Sequence, residues 1–220
     1  MAVRRVFGSS VGTKLLLGVT GLLLFAYLII HLLGNLIVFA GQETFNHYAH
    51  ALAGNPLVVP AEIALLLFFV VHIYKAVTMW AANQRARPVA YAKKTWAGHT
   101  SRKSVASTTM IWTGLAILVF VIIHVAHIKY GAWYDIGEPP VRDLYRTEVE
   151  VFSSPVWVAV YVIAMVLVGF HLRHGFSSAF QSLGASHPTY TRRLVVLGTI
   201  VAIVIAGGFA IIPIWVYLTR

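Results

Sequence analysis

Four histidines stand inside long apolar stretches of this sequence: His31, His72, His124 and His171. An ionisable side chain is costly at the depth of a membrane core, and one found there is by default part of a functional site. Imidazole binds first-row transition metals well. A lone buried histidine is more often hydrogen-bonded to a neighbour than bound to a metal. One histidine on each of four helices, however, would suit two metal centres that are each held by two imidazoles.

The composition is that of a membrane protein rather than of a soluble domain. Of the 220 residues, 59% are hydrophobic and 11% are charged. The apolar residues form blocks of the roughly 20 residues that a bilayer-spanning helix needs. The predicted fold class is therefore all-α, a polytopic helical bundle. Because the sequence has no cysteine, the chain cannot form disulfides or bind zinc through thiolates. It also cannot bind an iron–sulfur cluster through cysteine or carry a covalently attached c-type haem.

Five apolar runs predict five transmembrane helices within a single membrane domain of residues 1–220. The predicted spans cover about 15–39, 57–82, 105–128, 155–180 and 194–218. Between the first two spans, apolar residues at helical spacing from Phe45 to Leu52 predict a short helix that lies at the membrane surface. The longest polar segment, residues 129–154, joins the third and fourth spans.

Charge asymmetry between the connections predicts the orientation. Most of the 17 lysines and arginines lie on the side that holds the N-terminus, whereas all seven acids lie at or toward the other side. The positive-inside rule then places the N-terminus in the cytoplasm, so that the basic side is the inner face and the acidic side the outer face. Because topology accounts for the net charge of +10, no nucleic-acid partner is expected.

Depth along the helices sorts the four histidines into two pairs. At 1.5 Å per residue, His31 and His124 lie about 25 and 28 Å from the inner ends of their spans, near the outer face. His72 and His171 lie about 23 Å from the outer ends of theirs, near the inner face. Two imidazoles fill both axial positions of a haem iron, an arrangement suited to electron transfer. The sequence therefore predicts two haems b, an outer one on His31 and His124 and an inner one on His72 and His171.

Two further histidines are rivals for the ligand positions. His127 stands near His124 but closer to the polar segment, and His174 lies about 4.5 Å along the helix from His171. We expect both beside the haems rather than on the iron.

Other charged and polar residues near the haems are weaker candidates. Basic residues near the inner ends could pair with haem propionates: Lys14, Arg102 and Arg173. Positive-inside topology alone also explains them. At the outer face, a quinone would need polar groups that exchange its protons, and three residues could serve: His47, His50 and Glu62. The alternative is that these three side chains simply face water and the lipid headgroups.

Several short segments carry a family resemblance. They are His31 with Gly34-Asn35, Phe45-Asn46-His47-Tyr48-Ala49, His72, Phe120-Val121-Ile122-Ile123-His124, His171-Leu172-Arg173-His174-Gly175 and Gln181-Ser182-Leu183-Gly184. In these residues, and in the order and spacing of its four histidines, the chain resembles the single-chain, di-haem cytochrome b subunit of succinate dehydrogenases and fumarate reductases. The resemblance covers nearly the whole chain, and that family has five membrane helices.

The resemblance implies a multi-pass subunit of the bacterial cytoplasmic membrane that anchors a flavoprotein and an iron–sulfur protein on the cytoplasmic face. Electrons from succinate would pass through those partners to the inner haem, then to the outer haem, and finally to a membrane quinone, for which menaquinone is expected. The chain itself would do no chemistry on succinate. Association of such complexes into a higher oligomer is left open.

The same family also runs in the direction of fumarate reduction by quinol, which is the alternative function. In some fumarate-reducing members a glutamate stands two residues before the fourth-span ligand and is assigned to proton movement. That position is Gly169 here, which favours succinate oxidation.

Two other classes of protein compete with this interpretation. One is the di-haem cytochrome b of a hydrogenase, a formate dehydrogenase or a quinol–cytochrome c reductase. In the last of these each ligating helix carries two histidines far apart, whereas here four helices supply one each. The other is a haem-free anchor or small transporter whose histidines bind protons or metal ions. The sequence shows neither an intramembrane carboxylate relay nor an inverted repeat, which a transporter would more often have.

Overall fold

A computed structural model describes residues 9–86, 105–185 and 187–220. In these ranges, five helices are long and apolar enough to cross a membrane: Ser10–Ala40, Val58–Arg85, Met110–Lys129, Pro155–Ser182 and Pro188–Thr219. The first of them ends in a 3₁₀ turn, Leu36–Ala40. The predicted all-α class and the five transmembrane helices are confirmed.

Two spans begin earlier than hydropathy alone indicates, because their first turns are polar. The first span begins at Ser10, and the Ser9 hydroxyl accepts a 3.0 Å hydrogen bond from the Gly12 N–H as its N-cap. The fifth span begins at Pro188 rather than near 194. Proline suits the first helical turn, and Nδ1 of His187 accepts from the Thr189 N–H at 3.2 Å. The helix therefore already includes the basic residues that a hydropathy count assigns to the loop.

The third span is interrupted near each end. Its first turn is a separate short helix, Val105–Thr108, and the main helix runs from Met110 to His124. The hydroxyl of Thr109, between them, bonds the Val105 carbonyl at 2.8 Å. After His124 the helix widens into a π-helical turn, Val125–Lys129. Such turns are rare and often occur at functional sites.

The spans form a bundle in which the fourth packs along the fifth and also contacts the first and third. The second span packs mainly on the first and touches the third only slightly. Small residues allow close approach, as is usual between membrane helices. A Cβ atom at Gly198 would lie 2.7 Å from the Phe176 ring, and one at Gly208 would lie 2.9 Å from the Leu32 side chain.

The two connections at the outer end fold together. The short helix predicted between the first two spans is present and covers Gln42–Ala53. Residues 129–154 contain an antiparallel pair of two-residue strands, Asp135–Ile136 and Val141–Arg142, and a helix, Leu144–Phe152, none of which the sequence analysis predicted.

Asp143 joins these two connections. Its carboxylate accepts hydrogen bonds from the side chains of Gln42 and Asn46, each at 2.7 Å, and from the Arg146 N–H at 3.0 Å. Asp143 is therefore at once the N-cap of the helix Leu144–Phe152 and the anchor that holds the first outer helix against it.

Candidate functional site

The outer histidine pair meets between the first and third spans. The ring centroids of His31 and His124 lie 5.8 Å apart, with the ring planes at 80°. Each ring is backed by an aromatic side chain four residues earlier on its own helix. Tyr27 stacks on His31 at 5.3 Å and Phe120 stacks on His124 at 5.8 Å. The backing rings limit how far either imidazole can turn.

The Nδ1 atoms of the two imidazoles in this pair differ in their hydrogen-bond partners. Nδ1 of His31 lies 3.3 Å from Nδ2 of Asn35, whose amide also donates to the His31 carbonyl at 2.7 Å. Nδ1 of His124 is buried and has no hydrogen-bond partner among the described residues. A buried imidazole without a protein partner is the kind of group that needs an explanation.

The neighbouring His127 is engaged elsewhere. Its ring centroid lies 4.3 Å from that of Trp157 and 6.2 Å from that of Tyr161, and the rings of His127 and Tyr161 are nearly parallel at 9°. Nδ1 of His127 also lies 3.4 Å from the Tyr161 hydroxyl. The ring of His124 also lies 6.0 Å from the Tyr161 ring, but it faces His31 at 5.8 Å, whereas the ring of His127 packs against Trp157.

The inner pair comes from the second and fourth spans. His72 and His171 lie within electrostatic reach of one another. Each has a threonine hydroxyl against Nδ1: Thr20 at 3.1 Å from His72 and Thr113 at 3.2 Å from His171. Both threonines are buried. The opposite edge of each imidazole, with Nε2, is thereby left for another partner.

The remaining candidates at the inner end have fewer contacts. His174 is half-buried and lies within electrostatic reach of His171, one turn along the same helix. Lys14 and Arg173 are exposed, as basic residues near a headgroup region would be. Arg102 lies outside the described residues.

The quinone candidates are spread over the outer end. Glu62 forms an ion pair with Lys129 at 2.5 Å, at the point where the third span ends, and it lies within electrostatic reach of Tyr27. Of the three quinone candidates, it is the one whose charge acts on the ring that stacks on His31. His47 and His50 are exposed on the helix Gln42–Ala53, and none of their described contacts reaches the outer pair.

The donor set fits haem. No group of three or more histidine, cysteine or acidic side chains that could hold a bare metal ion occurs within residues 9–86, 105–185 and 187–220. A b-type haem needs only two axial ligands from the protein, since the porphyrin fills the other positions. The two histidine pairs supply four imidazoles, which is the number of axial ligands that two such groups would need.

A comparison with known protein families finds one whose members resemble this chain over more than half of its length. Residues 83–207 match the model of the succinate dehydrogenase/fumarate reductase transmembrane subunit. The chain belongs to this family. The match takes in the third and fourth spans of this membrane subunit, with His124 and His171, and most of the fifth span. Neither a curated protein nor a solved structure matches the chain.

Sequence reasoning missed three residues of this transmembrane subunit. Two are Thr20 and Thr113, whose hydroxyls lie against the inner histidines. A signal was present, because both threonines begin a Thr-Gly-Leu triplet at the same distance before a histidine. The third is Glu148, which is buried in the helix Leu144–Phe152 with Oε2 unpartnered. Burial raises its pKa to about 8, and it lies within electrostatic reach of Tyr161. No periodicity in the sequence marks this acid as buried.

Proposed function

We propose that this transmembrane subunit is a di-haem cytochrome b that carries electrons between a succinate dehydrogenase and a membrane quinone. His72 and His171 would hold the inner haem, and His31 and His124 the outer one. The observation that carries the proposal is the approach of the His31 and His124 rings, whose centroids lie 5.8 Å apart although they belong to different spans. A second histidine pair at another depth makes a path across the bilayer.

The protein's part in this function is to hold and orient. The chemistry supplied by a bound haem is the reversible one-electron oxidation and reduction of its iron. The histidines present neutral imidazole nitrogens for axial ligation, and the hydroxyls of Thr20 and Thr113 fix the two inner rings. Tyr27 and Phe120 restrict the outer rings. Rigid transmembrane helices suit these tasks, because electron transfer needs little movement of the ligands.

Residue 169 supports succinate oxidation as the direction. A Cβ atom at Gly169 would lie 3.2 Å from Cβ of Ala206 on the fifth span. Glycine there serves the packing of the fourth span on the fifth, and a carboxylate side chain at this position would have to enter that contact. A proton path through this residue is therefore not part of the proposal.

Quinone reduction would take place near the outer haem. Glu62 is the strongest candidate for proton exchange with the quinone, since it lies within electrostatic reach of Tyr27 beside His31. His47 and His50, exposed on the neighbouring surface helix, are the second choice. We propose menaquinone as the acceptor and the bacterial cytoplasmic membrane as the location.

The catalytic partners would bind at the inner face. That end carries the described basic residues Lys14, Arg85, Arg173, Arg192 and Arg193, which by the positive-inside rule face the cytoplasm. A flavoprotein would oxidise succinate there, and an iron–sulfur protein would deliver the electrons. The absence of cysteine means that any iron–sulfur cluster belongs to that partner.

The test is the haem-to-protein ratio of the purified subunit, with visible spectra recorded during a redox titration. Wild type should contain two b-type haems. His171→Ala should contain one and keep the spectrum of the outer centre, whereas His174→Ala, one turn away, should keep both. Two haems in His171→Ala, with loss in His174→Ala, would move the inner ligand to His174. A wild type without haem would leave only an anchoring role.

A further inference from the structure

The first and third spans contain the same sequence pattern. Thr20-Gly21-Leu22 is matched by Thr113-Gly114-Leu115, and Ile29-Ile30-His31 is matched by Ile122-Ile123-His124. In both spans the histidine follows the threonine by eleven residues. Eleven residues make about three helical turns and a rise of about 16 Å, so the two side chains share one face of the helix at two depths.

Corresponding positions of the two copies make corresponding contacts. The threonine hydroxyl lies against Nδ1 of an inner histidine on the next span, at 3.1 Å in the first copy and 3.2 Å in the second. The glycine after it lies against the same ring. A Cβ atom at Gly21 would be 3.2 Å from Cε1 of His72, and one at Gly114 would be 3.4 Å from Cε1 of His171. The histidine at the far end of each copy belongs to the outer pair.

The hydrogen bonding of the two hydroxyls determines which ring nitrogen carries the proton. Each threonine hydroxyl also bonds a carbonyl of its own helix, Thr20 to Leu16 at 2.6 Å and Thr113 to Thr109 at 3.1 Å. A hydroxyl has one hydrogen to donate. Since a carbonyl can only accept, that hydrogen goes to the carbonyl, and the hydroxyl oxygen accepts from the imidazole. Nδ1 of each inner histidine is then the protonated nitrogen, and Nε2 is free to bind a metal.

We propose that Thr20 and Thr113 are a matched pair of positioning residues for the inner haem, each fixing the Nδ1-protonated form of the histidine on the following span. The inference rests on the proposed function. It adds that the first two spans and the next two are equivalent halves, each supplying one outer ligand, one inner ligand and the hydroxyl that orients it. A partner that accepts from Nδ1 also makes the ligating nitrogen a stronger donor to the metal.

The experiment compares Thr20→Val and Thr113→Val with Thr20→Ser and Thr113→Ser. Valine keeps the shape and removes the acceptor, so the midpoint potential of the inner haem should rise, because a weaker donor stabilises ferric iron less. The affinity of the protein for the inner haem, measured as haem loss on dilution, should fall about 10- to 100-fold. Serine should restore both values toward wild type. The outer haem should not change, and the double valine variant should show a larger shift than either single one.

The matched control is Thr199→Val. Thr199 makes the same bond to its own helix, 2.8 Å to the Val195 carbonyl, on the fifth span, which carries none of the four candidate ligands. Thr199→Val should leave both midpoint potentials unchanged.

If a valine variant does not fold, the alanine and serine variants at the same position are compared instead. Equal inner-haem potentials in the alanine and serine variants would overturn the inference. Two haems in wild type with unmoved potentials in the valine variants would overturn this inference alone. A wild type without haem would overturn the proposed function and this inference with it.

Discussion

Gly21 lies against the edge of the His72 ring so closely that a Cβ atom at residue 21 would be 3.2 Å from Cε1. This is tighter than an ordinary van der Waals contact, so a methyl group there must push the ring or the second span by a few tenths of an ångström. We therefore expect Gly21→Ala to lower the occupancy of the inner haem and to leave the outer one in place. The measurement is the haem content of purified protein with visible spectra of each centre.

Two further glycine-to-alanine variants should differ from Gly21→Ala in how much inner haem they lose. Gly114 makes the equivalent approach to His171 at 3.4 Å, so Gly114→Ala should have a smaller effect than Gly21→Ala. Gly207 on the fifth span has nothing within 4 Å of an added Cβ atom. Gly207→Ala should be neutral or slightly stabilising, as replacement of a helical glycine usually is. A loss of inner haem in Gly207→Ala as large as in Gly21→Ala would show that backbone stiffening, rather than ring contact, is the cause.

The bundle and the depths of its histidines follow from hydropathy and from the helical rise, because both are properties of single segments. Spans near 20 apolar residues can be counted, and the rise per residue converts sequence position into depth. The rings of His31 and His124, which have similar predicted depths, lie 5.8 Å apart in the structure. That the pair binds a haem stays a prediction. The starts of the first and fifth spans were predicted too late, because polar first turns are stabilised by caps at Ser9 and His187 that hydropathy does not detect.

Contacts between different segments could not be predicted from hydropathy and helical rise. Threonine in an apolar helix usually bonds its own backbone, and nothing in one segment shows that the hydroxyl of Thr20 also meets His72. The outer helix Leu144–Phe152 was missed because residues 129–154 are polar and the helix is short. Its start depends on Asp143, whose partners lie on the other outer connection.

For the outer pair, we expect His124→Ala to lose the outer haem and His127→Ala to retain both. His124 faces His31, whereas His127 packs against the ring of Trp157. Haem content and the spectrum of the remaining centre distinguish the two. If instead His127→Ala removes the outer haem while His124→Ala keeps it, the π-helical turn Val125–Lys129 must rearrange around the iron, and the ligand assignment changes.

The Asp143 carboxylate should be the main polar support of the outer end. Asp143→Ala removes an N-cap and two side-chain hydrogen bonds to a charged acceptor, which should cost roughly 2 to 4 kcal/mol in the free energy of unfolding. Asp143→Asn keeps one acceptor oxygen and should fall between. Thermal unfolding in detergent measures both. Asp135→Ala, at an exposed position whose carboxylate accepts a hydrogen bond from the Trp133 ring N–H, is the control and should change the midpoint little.

Glu148 should make the stability of the outer end depend on pH. Burial raises its pKa from 4.5 to about 8, so the folded state holds a proton that the unfolded state has released over that interval. Stability from this group is therefore complete below about pH 4.5 and is lost as the pH rises toward 8. The loss amounts to on the order of 5 kcal/mol, at about 1.4 kcal/mol per pKa unit.

Glu148→Gln keeps the shape and cannot ionise, so its unfolding midpoint in detergent should match wild type near pH 5 and exceed it near pH 9. Glu43→Gln, at an exposed position in the first turn of the other outer helix, should follow the wild-type curve throughout. If wild type and Glu148→Gln lose stability in parallel between these pH values, Glu148 is not the group that titrates. A protein partner for its unpaired oxygen would then have to form in solution.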